Sequence, residues 1–264
     1  MFSNVTRFFN EFTSDPVNAL ISLAYLAVCI VFSLVIHECA HGYVALKCGD
    51  PTAKMMGRLT LNPLKHLDPF GTICMIFLRV GWARPVPINP RNFRNYRRDY
   101  ILVSLAGIAV NLAVFLLSLL ISALVAKVMY TPDFVDYVAS QGGKGMLLNI
   151  YRSNVAASAY SGIGLFSTGM KAPALLYVER LFLMLAQMNL GLAVFNLLPV
   201  PPLDGYRVLD QFVFKGRLNL EPRTMMYISL IFMMLCLSGV LSGLLTTVNS
   251  AVMGALTNVV SLII

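Results

Sequence analysis

Hydrophobic residues in this chain come in long blocks, with little of the alternation that marks half-buried strands. Mostly apolar runs occupy residues 17–47, 100–129, 174–198 and 224–246, and a shorter apolar stretch covers 248–264. A helix rises about 1.5 Å per residue, so about 20 apolar residues cross the roughly 30 Å hydrocarbon core of a bilayer. The four long runs therefore predict four transmembrane helices; the last stretch is short for crossing. Residues 48–66 are broken by Gly and Pro and partly alternate, which predicts a strand or hairpin. Residues 67–79 are apolar but too short to span, which predicts a re-entrant or half helix. Residues 81–96 read as an extended, Pro-rich basic loop, 130–172 as a polar to mixed segment rich in Gly and Ser, and 199–223 as a Pro-rich and then basic loop. Residues 1–16 read as an amphipathic lead-in, with Phe8, Phe9 and Phe12 near Arg7 and Glu11. The whole pattern is that of an all-α polytopic membrane protein. It has four long transmembrane helices, shorter or re-entrant helices, and a small membrane-associated β-strand or hairpin region after the first span.

Composition agrees. Of the 264 residues 58% are hydrophobic and 12% charged, against about 25% charged in soluble domains. The length suits one membrane-embedded domain over 1–264, with a lead-in at 1–16, a core at 17–215 and C-terminal helices at 216–264. A net charge of +8 raises the question of nucleic acid, but the basic residues cluster in loops that flank the apolar runs, so no nucleic-acid partner is expected. Lys and Arg number ten in 47–100 and four in 199–223, against three in the longer 130–172 segment. The positive-inside rule then puts the first two loops in the cytoplasm and 130–172 outside. The five cysteines are scattered without a C-x-x-C, and they read as small buried hydrophobes with no disulfide framework. The first apolar stretch is too long for a signal-peptide core, so no cleavable signal is expected.

Charge inside the first apolar run changes the picture. It contains Val35-Ile36-His37-Glu38-Cys39-Ala40-His41-Gly42. Residues four apart lie one turn apart on one face of a helix, so two neutral imidazoles there suit one Zn²⁺, with Glu38 beside them as a proton acceptor for water. The motif arises by chance in unrelated proteins. Here, however, it holds two of only three histidines in the chain, and ionisable groups within a span are costly unless they function. Cys39 points off the metal face. A catalytic zinc needs a third protein ligand, and only twelve acidic residues are available. Asp204, in Asn196-Leu-Leu-Pro-Val-Pro-Pro-Leu-Asp204-Gly205, lies on the expected side of the membrane, and its prolines free the chain to turn back toward the bilayer. Its alternative is an ordinary Asp-Gly turn. Glu179 competes from the wrong depth, and Asp68, before Pro69, reads as a helix N-cap. His66 reads as structural.

Together, His37-Glu38-x-x-His41 in a span and Asn196-x-x-Pro199…Leu203-Asp204-Gly205 after a later span resemble the site-2 protease family of zinc intramembrane metalloproteases. Leu61-Asn-Pro-Leu-Lys-His-Leu-Asp-Pro-Phe-Gly71 and Ala83-Arg-Pro-Val-Pro-Ile-Asn-Pro90 resemble its short bacterial and archaeal members, and the likeness covers roughly residues 20–215. The resemblance implies one zinc per chain held by His37, His41 and Asp204, with Glu38 as catalytic base. The family's Gly-Pro-x-x-Asn motif is matched by Gly107-Ile-Ala-Val-Asn111, with Ile108 in place of Pro. Asn111 is then expected to hydrogen-bond substrate or the developing oxyanion, its alternative being a helix–helix hydrogen bond. Asn196 is expected to order the Asp204 loop or hold substrate backbone. The implied activity is hydrolysis of a peptide bond in or near a transmembrane segment of a membrane-protein substrate. The expected setting is a multi-pass protein of a bacterial or archaeal cell membrane, with the site toward the cytoplasm. Residues 52–62 and 83–90 are expected to pair with an unwound substrate as an added strand. No stretch is long enough for a PDZ or CBS domain. A non-proteolytic metal-binding membrane protein or chaperone on this scaffold is the alternative, but it would be expected to lose Glu38 or a ligand. Oligomeric state is not legible.

Overall fold

The computed structural model describes residues 12–71, 74, 83–142, 169–218, 220–260 and 262. Eight α-helices follow in order among them: α1 Pro16–Lys47, α2 Thr52–Met55, α3 Tyr96–Met129, α4 Pro132–Gly142, α5 Leu175–Asn196, α6 Asp204–Phe212, α7 Pro222–Ser238 and α8 Val240–Val260. Three of these, α1, α3 and α5, are long and apolar enough to cross a membrane. The chain is thus a mostly helical integral membrane protein. It divides into two compact units, residues 1–112 with 190–246, and 113–189 with 247–264.

The first unit carries the chemistry. Helix α1 starts where Asp15 accepts the Asn18 N–H at 3.1 Å and Pro16 supplies a preset φ. Its buried positions include Cys29, Ser33, His37, His41 and Ala45, which step by four and so form one ridge. The end of that ridge meets α3: Ala45, Cys48 and Val103 form a buried cluster, with Val44, Ile88 and Phe93 packed on it. Gly42 keeps the same neighbourhood close, since a Cβ there would stand 3.2 Å from Val86 and 3.3 Å from Ala53. Phe195 of α5 and Phe232 of α7 stack with centroids 5.6 Å apart.

The strand or hairpin expected in 48–66 is not seen: among the described residues there are only isolated antiparallel bridges, at Leu67–Ala83 and Tyr130–Met170. Local capping wins over the alternation. Asp50 accepts the Thr52 N–H at 3.1 Å and the Thr52 hydroxyl, which starts α2. Asn62 accepts the Leu64 N–H at 3.1 Å and opens a 3-10 turn at Pro63–Lys65. Asp50 also ties this region to the 83–90 loop, accepting from Asn89 N–H and from the Asn92 amide, both at 2.7 Å. The expected half helix at 67–79 lies largely outside the described residues. Its start is as predicted, with Asp68 accepting the Gly71 N–H at 2.8 Å.

The fourth long span expected at 224–246 is also corrected. The chain breaks at Gly239, whose φ of +85° ends α7 in a left-handed cap, and α8 runs on to Val260. Glycine makes that conformation cheap, and a hydropathy run does not register it.

In the second unit the buried side of α3 carries Phe115, Leu119, Ala123, Ala126 and Met129. Helix α4 occupies the start of the polar to mixed 130–172 segment, and 143–168 lie outside the described residues. Glu179, at the start of α5, is fully buried in this unit.

Candidate metal centre

The four-residue step on α1 sets His37 and His41 with ring centroids 4.6 Å apart at 81° to each other. Their Nε2 atoms face each other at 3.0 Å. Asp204 Oδ2 stands 3.3 Å from His37 Nε2 and 3.1 Å from His41 Nε2. All three side chains are buried, at 7%, 5% and 6% exposure. Among the described residues, this is the one set of three His, Cys, Asp or Glu groups whose donor atoms converge.

Asp204 reaches this point because α6 begins on it. The Asn196–Leu203 segment leaves α5 in turns and brings α6 back so closely that a Cβ on Gly205 would stand 2.6 Å from Leu198 O. The positive end of α6 favours a carboxylate in its first turn. The far end of α6 is tied down by Arg97 of α3, whose Nε donates to Gln211 O at 2.8 Å and whose guanidinium nitrogen donates to Phe212 O at 3.0 Å. Burial works against charge on Asp204, but the two imidazoles beside it outweigh that and hold the carboxyl well below the usual carboxylate range. Arg207 Nη1 stands 3.9 Å from Oδ1, the other oxygen.

Several observations fit a metal ion here. Asp204 Oδ2 is buried without a well-directed hydrogen bond. Two nitrogens and one carboxylate oxygen are a zinc donor set, and a tetrahedral zinc with bonds of about 2.0–2.1 Å spaces its ligands by roughly 3.3 Å. Gly107 of α3 keeps the space open: a Cβ there would run into the His37 ring and stand 2.5 Å from His41 Nε2.

Glu38 lies beside this point and lines a cavity of about 710 Å³ together with His37, His41, Asp204, Asn196 and Arg207. Its Oε2 accepts the Val86 N–H at 2.8 Å. The loop that presents Val86 is held in turn: Arg84 N–H donates to His66 O at 2.8 Å, and Arg58 donates to Arg84 O at 2.8 Å. The Arg84 hydrogen bond is a backbone contact. His66 is fully buried, with Nε2 2.7 Å from Thr60 O. Cys39 also turns to Thr60 O, at 3.0 Å, away from the donors.

Asn196 lines the cavity, and its amide donates to Leu192 O at 3.0 Å. Asn111 makes a contact between α3 and α1. It is fully buried, is not among the residues lining the cavity, and faces His37 Nδ1 at 3.1 Å. Sequence reasoning missed three contacts: the Val86 N–H on Glu38, the Val103 carbonyl 2.7 Å from His41 Nδ1, and the Arg97 clamp on α6. All three use backbone atoms, which no residue type advertises.

Two buried histidines on the long apolar α1, met by Asp204 at the start of the short α6 and flanked by a cavity-lining glutamate, fit a membrane metallopeptidase. The chain belongs to peptidase family M50, the site-2 proteases, which it matches over residues 25–239. It is 39% identical over 194 residues to YwhC of Bacillus subtilis (strain 168), covering 74% of this chain and 71% of that one. It is 28% identical over 200 residues to Rip2 of Mycobacterium tuberculosis, covering 71% of this chain and 59% of Rip2. Both relatives are named as putative zinc metalloproteases. The chain thus spans under two thirds of the length of Rip2. No solved structure matches.

Proposed function

We propose that this metalloprotease is a zinc-dependent intramembrane endopeptidase that hydrolyses a peptide bond in or near a transmembrane segment of a membrane-protein substrate. The observation that carries the reading is the convergence of His37, His41 and Asp204 within 3.0–3.3 Å of one another, beside a cavity that Glu38 lines. These three residues would hold one zinc per chain. When bound, zinc supplies a Lewis acid that acidifies water and polarises a carbonyl.

The chain's own groups do the rest. Glu38 takes a proton from the attacking water at its carboxylate and returns it to the leaving amine. The Val86 N–H on Oε2 fixes the carboxylate toward the cavity. Asn196 and Arg207 offer polar contacts to an extended substrate backbone at the cavity wall. Strand addition at 83–90 has a cost here. The N–H groups of Arg84, Val86 and Asn89 already serve His66, Glu38 and Asp50, and Pro85, Pro87 and Pro90 have none to offer. A substrate strand would therefore have the Ile88 N–H to pair with, or the Val86 N–H in exchange for its bond to Glu38. Charge distribution supports an orientation with the site toward the cytoplasm.

The test is zinc content and cleavage of a transmembrane test peptide by detergent-purified protein. Wild type should hold about one zinc per chain. Asp204→Ala should lose it, and Glu38→Gln should keep it while cleavage falls about 10²–10⁴-fold. Full zinc in Asp204→Ala would remove Asp204 from the ligand set. Undiminished cleavage by Glu38→Gln would remove the base.

A further inference from the structure

Three successive turns of α3, at Val103, Gly107 and Asn111, face the two histidines. We propose that this side of α3 is a cradle that sets both imidazole tautomers for the metal, with Asn111 as the positioning residue of His37. The inference rests on the metallopeptidase reading above and concerns residues that touch neither substrate nor metal.

The His41 half is direct. Its Nδ1 lies 2.7 Å from Val103 O. A carbonyl oxygen only accepts, so Nδ1 carries the hydrogen and Nε2 keeps a lone pair. That Nε2 is the atom 3.1 Å from Asp204 Oδ2. Gly107, one turn on, contributes the absence of a side chain where a Cβ would strike both rings.

Asn111, one further turn along, does for His37 what Val103 does for His41. Its carboxamide is fully buried and 3.1 Å from His37 Nδ1, on the far side of the ring from Nε2. The NH₂ is the nearer group, and the oxygen has no hydrogen-bond partner. The two ends of a carboxamide are nearly equal in shape, and a half-turn exchanges them. With NH₂ inward, Nδ1 must accept, and the hydrogen then sits on Nε2 among the donors. With oxygen inward, Nδ1–H donates, and Nε2 offers a lone pair beside that of His41. Metal binding selects the second arrangement, as outer partners commonly do for ligating histidines.

Two measurements on the full-length protein in detergent test this. The first is zinc affinity by chelator competition. Asn111→Leu should bind zinc about 10–100-fold more weakly than wild type. Asn111→Asp, which accepts but cannot donate, should stay within a few-fold of wild type. Wild-type affinity in Asn111→Leu, or Asn111→Asp failing as badly as Asn111→Leu, overturns the cradle. The second measurement needs no variant, so it can overturn the cradle even if Asn111→Leu does not fold. With three histidines in the chain, ¹⁵N imidazole NMR of the zinc-loaded protein resolves each tautomer. His37 and His41 should both be protonated at Nδ1, and His66, whose Nε2 faces Thr60 O, at Nε2. Zinc-loaded protein with His37 protonated at Nε2 overturns the cradle and leaves the peptidase reading standing. Folded wild type that takes up no zinc overturns the peptidase reading and the cradle with it.

Discussion

Along α3 the buried positions step by four, from Asp99 through Val103, Gly107, Asn111, Phe115 and Leu119 to Ala123, and their chemistry changes midway. The first three turns offer a carboxylate, a backbone carbonyl and an empty place, followed by a carboxamide. The later turns offer bulk: Phe115 is 1% exposed and Leu119 not at all. The outward faces do not differ in this way. Leu102 and Leu112 are exposed in the first half, as Leu116, Leu117, Leu120 and Leu124 are in the second, which is what a bilayer solvent asks of both. The hydropathy of the helix therefore carries no sign of where the chemistry lies. The inward stripe carries it, and there a missing side chain counts for as much as a polar one.

The contrast predicts different failures in the two halves. The largest should come at Gly107. Gly107→Val pushes a branched side chain into the point where the donors meet, and zinc should fall from about one per chain toward none, as measured by elemental analysis. Retention of zinc there would erase the distinction between the halves. Phe115→Ala should leave zinc content unchanged while lowering stability by about 3–5 kcal/mol, as large core truncations do; chemical denaturation in detergent reads it. A loss of zinc in Phe115→Ala, at a temperature where the protein is folded, would show that the packing half also governs the site. The smallest effect should come from Arg97→Met, at the head of the helix. It removes two charge-assisted hydrogen bonds to the end of α6, worth about 1.5–3 kcal/mol in such pairings. Because α6 begins on Asp204, zinc should also dissociate faster in stopped-flow chelation. An unchanged off-rate would confine the clamp to stability.

Much of this was readable in the residues. The apolar runs at 17–47, 100–129 and 174–198 return as α1, α3 and α5 with ends shifted by a few residues, because length and hydropathy alone decide what crosses a bilayer. His37-Glu38-x-x-His41 announced itself, since charge in such a run has few bland explanations. The failures share a cause: each is a local competition that composition does not weigh. Asp50 and Asn62 captured backbone N–H groups and turned an alternating stretch into helical turns. Gly239 broke an otherwise continuous apolar run.

The sequence by itself determined the solvent, the main spans, the pair of histidines and the glutamate between them, because these depend on hydropathy and on the fixed geometry of one helix turn. Only the tertiary structure decided what stands around them. It brought Asp204 across 163 positions of chain to within 3.1 Å of His41. It set a loop N–H on Glu38, and it turned Asn111 to the back of His37 and away from the cavity. Those are contacts between separate helices and loops. They follow from how a ridge on α1 packs against a gap on α3, and no periodicity along a single chain encodes that meeting.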